Sequence, residues 1–181
     1  REGKNHEYVQ KILDEIGRLK SLITAYLDYG KPSKALPERI GLDVIAKEIH
    51  DLFRNVFEEK RIHFSYEVSA KKVFFDRNHL KQIVINLITN SIHFMPKGGP
   101  IVLRVAESAG ETRMDVVDSG SGISAEHLGS VFDPFFTTDQ NGFGLGLAVC
   151  KKLCEENNAH LSVENNADQG CTFRILLKSP G

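Results

Sequence analysis

The sequence predicts an α+β fold: a two-layer α/β sandwich, one mixed sheet with helices on one face, preceded by a long helix from a dimerisation bundle. Three observations lead there. Apolar and polar residues alternate at Ile62, Phe64, Tyr66 and Val68, at Ile101, Leu103 and Val105, and at Met114 and Val116, which is the period of half-buried strands. Helical periods separate some of these runs while others follow one another directly, an order that does not suit a doubly wound parallel sheet. Ahead of them, residues 6–29 repeat an apolar side chain every three or four positions, the spacing of a coiled-coil seam.

Composition sets the outer limits. The chain has 181 residues, of which 41% are hydrophobic and 26% charged, an ordinary globular balance with room for one full domain and a little more. Its 23 basic and 24 acidic side chains leave a formal charge of −1. No polybasic surface is available to neutralise phosphates, so no nucleic-acid partner is expected. No apolar run reaches the roughly 18 residues of a membrane helix, so no direct membrane contact by this stretch is expected. The first residue is Arg1 and not Met, which leads to the expectation of a piece of a longer protein. Cys150, Cys154 and Cys171 form no CxxC pair. They read as buried free thiols of a reducing, cytoplasmic compartment, with neither a disulfide framework nor a zinc site.

The elements can be justified in order. In residues 6–29, Val9, Ile12, Ile16, Leu19, Ile23 and Tyr26 form the seam, and Leu13, Leu22 and Leu27 widen it. A lone helix of this size cannot bury that stripe. It either folds back on its own domain or joins a dimeric four-helix bundle, and the linker that follows favours the bundle. Gly30 suits a helix end, and Pro32 forbids continuation. The expected division is residues 1–30 for the bundle helix, 31–41 for the linker and 42–181 for the globular domain. A helix over 42–59 leads to a strand over 62–68, a short strand at 73–75 and a helix over 77–95. Strands follow at 101–105 and 114–118. A helix over 145–156 ends near Asn157 and Asn158, and two strands, 160–164 and 171–177, close the fold through a turn containing Gly170.

The chemistry is written in four places. On the 77–95 helix, Leu80, Ile83, Val84, Leu87, Ile88, Ile92 and Met95 share a broad face, while Asn86, Asn90 and His93 fall within about 60° of one another on the other. Asparagine is unfavourable inside a helix. A solvated face explains the pair blandly; a hard amide-oxygen ligand for Mg²⁺ explains it functionally. Asp118-Ser119-Gly120-Ser121-Gly122-Ile123 follows a strand directly. Its carboxylate can accept from an exocyclic amine, although a plain turn also fits. Gly142-Phe143-Gly144-Leu145-Gly146 opens a helix, where free N–H groups and the positive helix end suit phosphates. It is not a Walker loop, because no Gly-Lys-Ser/Thr follows. Between the two loops, Phe132, Phe135 and Phe136 are either core or the anchors of a lid.

Taken in order, the NxxxN helix, the strand-end DxGxG, the FxPFF segment and the GxGxG helix start resemble the ATP-binding catalytic domain of bacterial sensor histidine kinases. That domain belongs to the larger superfamily of gyrase, heat-shock chaperone and mismatch-repair ATPases. The resemblance runs from about Leu42 to the C-terminus, and residues 6–30 resemble the second helix of the family's dimerisation and phosphoacceptor hairpin. It implies ATP and Mg²⁺ as ligands, with Asn90 on the metal, Asn86 supporting it and His93 near the phosphates. Asp118 would bind the adenine amino group, in a pocket shaped by Gly120, Gly122 and Ile123. The lid would be held by Phe132, Phe135 and Phe136. Its segment with Thr137, Thr138, Gly142, Phe143, Gly144, Leu145 and Gly146 would close on the phosphates, and Thr172 would line the adenine side. Asp139 departs from the lysine often found after the paired threonines.

Hydrolysing members of the superfamily usually carry a glutamate where this chain has Asn86, and an amide cannot serve as a general base. The resemblance therefore implies transfer of the γ-phosphoryl group to a histidine, for signalling to the receiver domain of a response regulator, by a protein that dimerises through the bundle helix. The family's His-Glu/Asp-x-x-x-Pro acceptor context is absent: His6 precedes Glu7 without the proline, and His50 precedes Asp51 in the globular domain. We expect the acceptor helix to lie upstream, in a parent whose membrane anchoring the sequence leaves open, so that this stretch alone would not phosphorylate itself. An ATPase switch, an anti-sigma serine kinase and an inactive nucleotide-binding scaffold are the competing readings.

Overall fold

The computed structural model describes residues 2–30, 34–69, 72–108, 111–139 and 142–178. Helix α1 (Glu2–Gly30) carries the seam and touches the globular part at its last helix. Its apolar side chains stay uncovered: Val9, Ile12, Ile16, Leu19, Ile23 and Tyr26 are each at least half exposed. Pro32, the proposed helix stop, lies outside the described residues.

The globular part begins earlier than the sequence suggests. Strand β1 (Glu38–Gly41) pairs antiparallel with β3 (Lys72–Phe75), so residues 38–41 belong to a two-stranded ribbon and not to a linker. Ile40 buries its side chain completely there and ties the ribbon to the core. Helix α2 (Leu42–Lys60) follows at once, with Leu42, Ile45, Ala46, Ile49 and Phe57 inward.

The main sheet has five strands in the order β2-β4-β5-β7-β6, formed by β2 (Ile62–Val68), β4 (Gly99–Ser108), β5 (Glu111–Asp118), β6 (His160–Asn165) and β7 (Cys171–Lys178). The pair β2–β4 is parallel and the others are antiparallel. Helices α2, α3 (Arg77–His93) and α4 (Gly146–Glu156) cover one face. Strand alternation supplies that face with rows in register, such as Leu103, Val116 and Phe173, all fully buried. The predicted α+β sandwich is therefore the observed architecture.

The uncovered face is polar for a physical reason. Glu67, Arg104, Asp115 and Arg174 stand in one row across four strands. Asp115 is almost wholly shielded from water, and Arg113 and Arg174 both bond its carboxylate. Such a shielded charge holds only while its partners stay.

Helices α3 and α4 run antiparallel. Cys150 of α4 reaches the Ile83 carbonyl near their middle. At one end, Asp76 caps α3 by accepting from Asn78 and His79 N–H at 2.9 and 3.0 Å, and its second oxygen accepts from Leu36 N–H at 2.8 Å. Asn157, just past α4, accepts from Asp76 N–H at 2.8 Å and also bonds the His79 ring and the Leu153 carbonyl. Burial pushes the Asp76 carboxyl up, but the N–H donors of His79, Leu36 and Asn78 and the nearby His79 ring outweigh it and hold the group below the usual carboxylate range.

Candidate functional site

The opposite ends of α3 and α4 open on a cavity of about 670 Å³. Helix α3 presents Asn86, Asn90 and His93 to it, as the helical spacing requires. The end of β5 brings Asp118, the loop beyond brings Gly122 and Ile123, and the next segment brings Thr137 and Thr138. Gly142, Phe143, Gly144, Leu145 and Gly146 complete the wall at the start of α4. Stretches more than fifty residues apart in sequence thus meet at one hollow.

Asp118 is buried to 5% exposure at the floor. Its Oδ1 accepts from Gly120 N–H at 2.9 Å and from Cys171 N–H at 3.2 Å. Its Oδ2 accepts from the Ser91 hydroxyl at 3.1 Å and the Cys171 thiol at 3.2 Å. Burial, and then the charge of Asp118, push the Cys171 thiol far above its ordinary value, so it stays protonated and can donate. Burial likewise raises Cys154, to about 12, and all three cysteines are free and buried. They are buried free thiols, as expected.

The loop after β5 is clamped by residues that the sequence did not assign to the site. Asn165 exchanges two hydrogen bonds with the backbone of Ile123, at 2.8 and 2.6 Å. Asn166 donates to the Asp118 carbonyl at 2.8 Å. Gly170, at φ +83°, passes so close that a Cβ would collide with the Asp118 carbonyl. These contacts cross from the β6–β7 turn to the end of β5. Only a known strand pairing would have revealed them.

Helix α4 begins without a side-chain cap at Leu145. Its first N–H groups and the positive end of its dipole are therefore available at the cavity wall. Gly144, at φ +65°, lets the chain pass under Phe135 and Phe136, whose backbone a Cβ would strike. Asn86 spans the helix pair with a long contact, 3.4 Å, to the Gly146 carbonyl. Across the cavity, His93 Nε2 meets Asp139 Oδ2 at 3.2 Å.

Four expected residues do not border the cavity. Gly120 lies behind Asp118 and braces it. Phe132 packs on the core, whereas Phe136 borders the cavity and Phe135 is exposed, so the three aromatics do not act alike. Thr172 faces away, because strand alternation sends Cys171 and Phe173 to the helix side; its hydroxyl donates to Asn166 at 2.6 Å. Cys171 holds the place on the cavity side. Among the described residues no cluster of three acidic, cysteine or histidine side chains could hold a metal alone.

The family model described as histidine kinase-, DNA gyrase B-, and HSP90-like ATPase matches residues 75–181. The chain belongs to this family. Among curated relatives it is 31% identical to sporulation kinase C of Bacillus subtilis over 94% of this chain and 41% of the relative. It is 30% identical to sensor histidine kinase ZraS of Salmonella typhi over 97% of this chain and 38% of the relative. The chain thus spans about two fifths of these relatives. Among solved structures, the catalytic domain of histidine kinase ThkA is 29% identical with a TM-score of 0.72, over 80% of this chain and 96% of that one. ThkA in complex with response regulator protein TrrA is 28% identical with a TM-score of 0.81, over 96% of this chain and 51% of that one. The second likeness takes in α1 as well as the family's domain.

Proposed function

We propose that this chain is the ATP-binding region, with one bundle helix, of a protein histidine kinase. The observation that carries the reading is the meeting of Asn90, Asp118 and the uncapped glycine-rich start of α4 around one cavity. Asp118, already oriented by four donors, would take the amino group of adenine at the floor. The N–H groups of residues 145–147 would face the phosphates. Magnesium suits this donor set, since it commonly takes few protein ligands and completes its shell with water and phosphate oxygens. Asn90 would be its ligand, with Asn86 beside it. When bound, the ion neutralises charge on the phosphate oxygens.

Asn86 gives no acid that could activate water, so a positioned imidazole outside this chain is the fitting acceptor. On this reading the seam of α1 is covered by a second copy in the intact protein. The phosphohistidine would serve the receiver domain of a response regulator, as the ThkA–TrrA complex suggests by analogy. The cytoplasm is the compartment that the three unpaired thiols favour.

The test supplies what the chain lacks. Incubated with Mg-ATP and a separate acceptor-helix fragment, the chain should label the fragment with acid-labile, base-stable phosphate. Acid-stable label would point to a serine kinase, and free phosphate alone to an ATPase.

A further inference from the structure

The cavity that is built for anions contains an anion of its own. Asp139 sits on its wall, and its carboxylate meets His93 of α3 at 3.2 Å. The contact spans 46 residues of sequence and joins the segment before α4 to the last turn of α3. Its placing is local and specific. The Asp139 N–H donates to the Thr137 hydroxyl at 3.0 Å, which in turn donates to the Asp139 carbonyl at 3.1 Å, and Gly142 N–H donates to the same carbonyl at 3.1 Å. These bonds hold the Asp139 backbone where its carboxylate meets the ring.

Two neighbouring features favour negative charge from outside: the uncapped start of α4 and the His93 ring. A carboxylate already seated there repels an incoming phosphate chain and occupies the ring that the chain would use. We propose that His93 and Asp139 form an internal lock, in which Asp139 mimics a phosphate and must release His93 before a nucleoside triphosphate can seat. The proposal rests on the nucleotide-binding reading above. It assigns Asp139 an inhibitory role and His93 a positioning role.

The test is a calorimetric binding series with Mg-ATP and with adenosine, using the wild-type chain, Asp139→Asn, His93→Ala and the double variant. Asp139→Asn should tighten Mg-ATP by about two- to fivefold, in the range of a partly exposed charge pair, and leave adenosine unchanged. His93→Ala should weaken Mg-ATP, and in its background the gain from Asp139→Asn should shrink to that of simple repulsion. Hydrogen exchange over residues 136–139 without nucleotide should quicken in Asp139→Asn. Unchanged or weaker Mg-ATP binding by Asp139→Asn would overturn the lock, as would a gain equal in size without His93. Asp139→Ser serves as a second variant should the first fold poorly. If the wild-type chain binds no adenine nucleotide, the functional reading itself fails, a separate result.

Discussion

The two ends of the α3–α4 pair are built to opposite rules. At the far end both helix termini are tied down: Asp76 caps α3, and Asn157 closes α4 while bonding the Asp76 N–H and the His79 ring. At the cavity end α4 starts uncapped, asparagines and a histidine replace apolar side chains, and glycine at a left-handed φ shapes the wall. The difference shows how one packed helix pair divides its labour. The capped end contributes stability and holds the register, and the uncapped end keeps its polar groups for a ligand.

That contrast can be broken from either side. The largest expected effect is on binding. Asn90→Ala should weaken Mg-dependent binding of a fluorescent ATP analogue by more than about tenfold, ~1.4 kcal/mol, with a melting temperature close to wild type. Equal affinity with Mg²⁺ would remove Asn90 from the metal shell. The next effect falls at the far end. Asp76→Ala should cost about 1–2 kcal/mol of stability in urea unfolding through the lost cap, while the folded fraction binds nucleotide as before. A binding defect equal to that of Asn90→Ala would show that the two ends are not separable.

The smallest effect sharpens the comparison through pH. The Asp76 carboxyl is held below its ordinary value in the folded state, so its ionised form stabilises the fold above the unfolded pKa near ~3.9. That contribution is lost as pH falls through the lower folded value. Asp76→Asn keeps an N-cap acceptor without the charge. Its stability deficit should therefore be present at neutral pH and close as the pH is lowered toward about 2. A deficit independent of pH would assign the effect to geometry alone.

Much of this arrangement was legible in the residues. The cavity face of α3 is, to a good approximation, helical arithmetic: a spacing of four and then three puts Asn86, Asn90 and His93 together, and the buried Val84, Leu87 and Ile88 confirm the other face. Strand β1 was hidden because four residues with one buried side chain carry too little period to read, and a proline precedes them. Thr172 was misplaced by one residue. The alternation of Phe173, Ile175 and Leu177, all buried, already implied that Cys171 points inward and Thr172 out. Asn165, Asn166 and Gly170 act on a strand end about fifty residues away, and no local pattern encodes that reach. The coiled-coil seam of α1 was plain in the sequence, and its exposure here is the counterpart of the open cavity: both present surfaces that the described residues do not themselves cover.

The central claim is that Asp118, the asparagines of α3 and the start of α4 form one site for a purine nucleoside triphosphate. Titrating the intact chain with Mg-ATP in a calorimeter tests it most directly, with Asp118→Ala as the partner sample. The account predicts saturable heat at one site per chain and its loss in the variant while the fold persists. No heat with the wild-type chain, or the same heat with the variant, would contradict it.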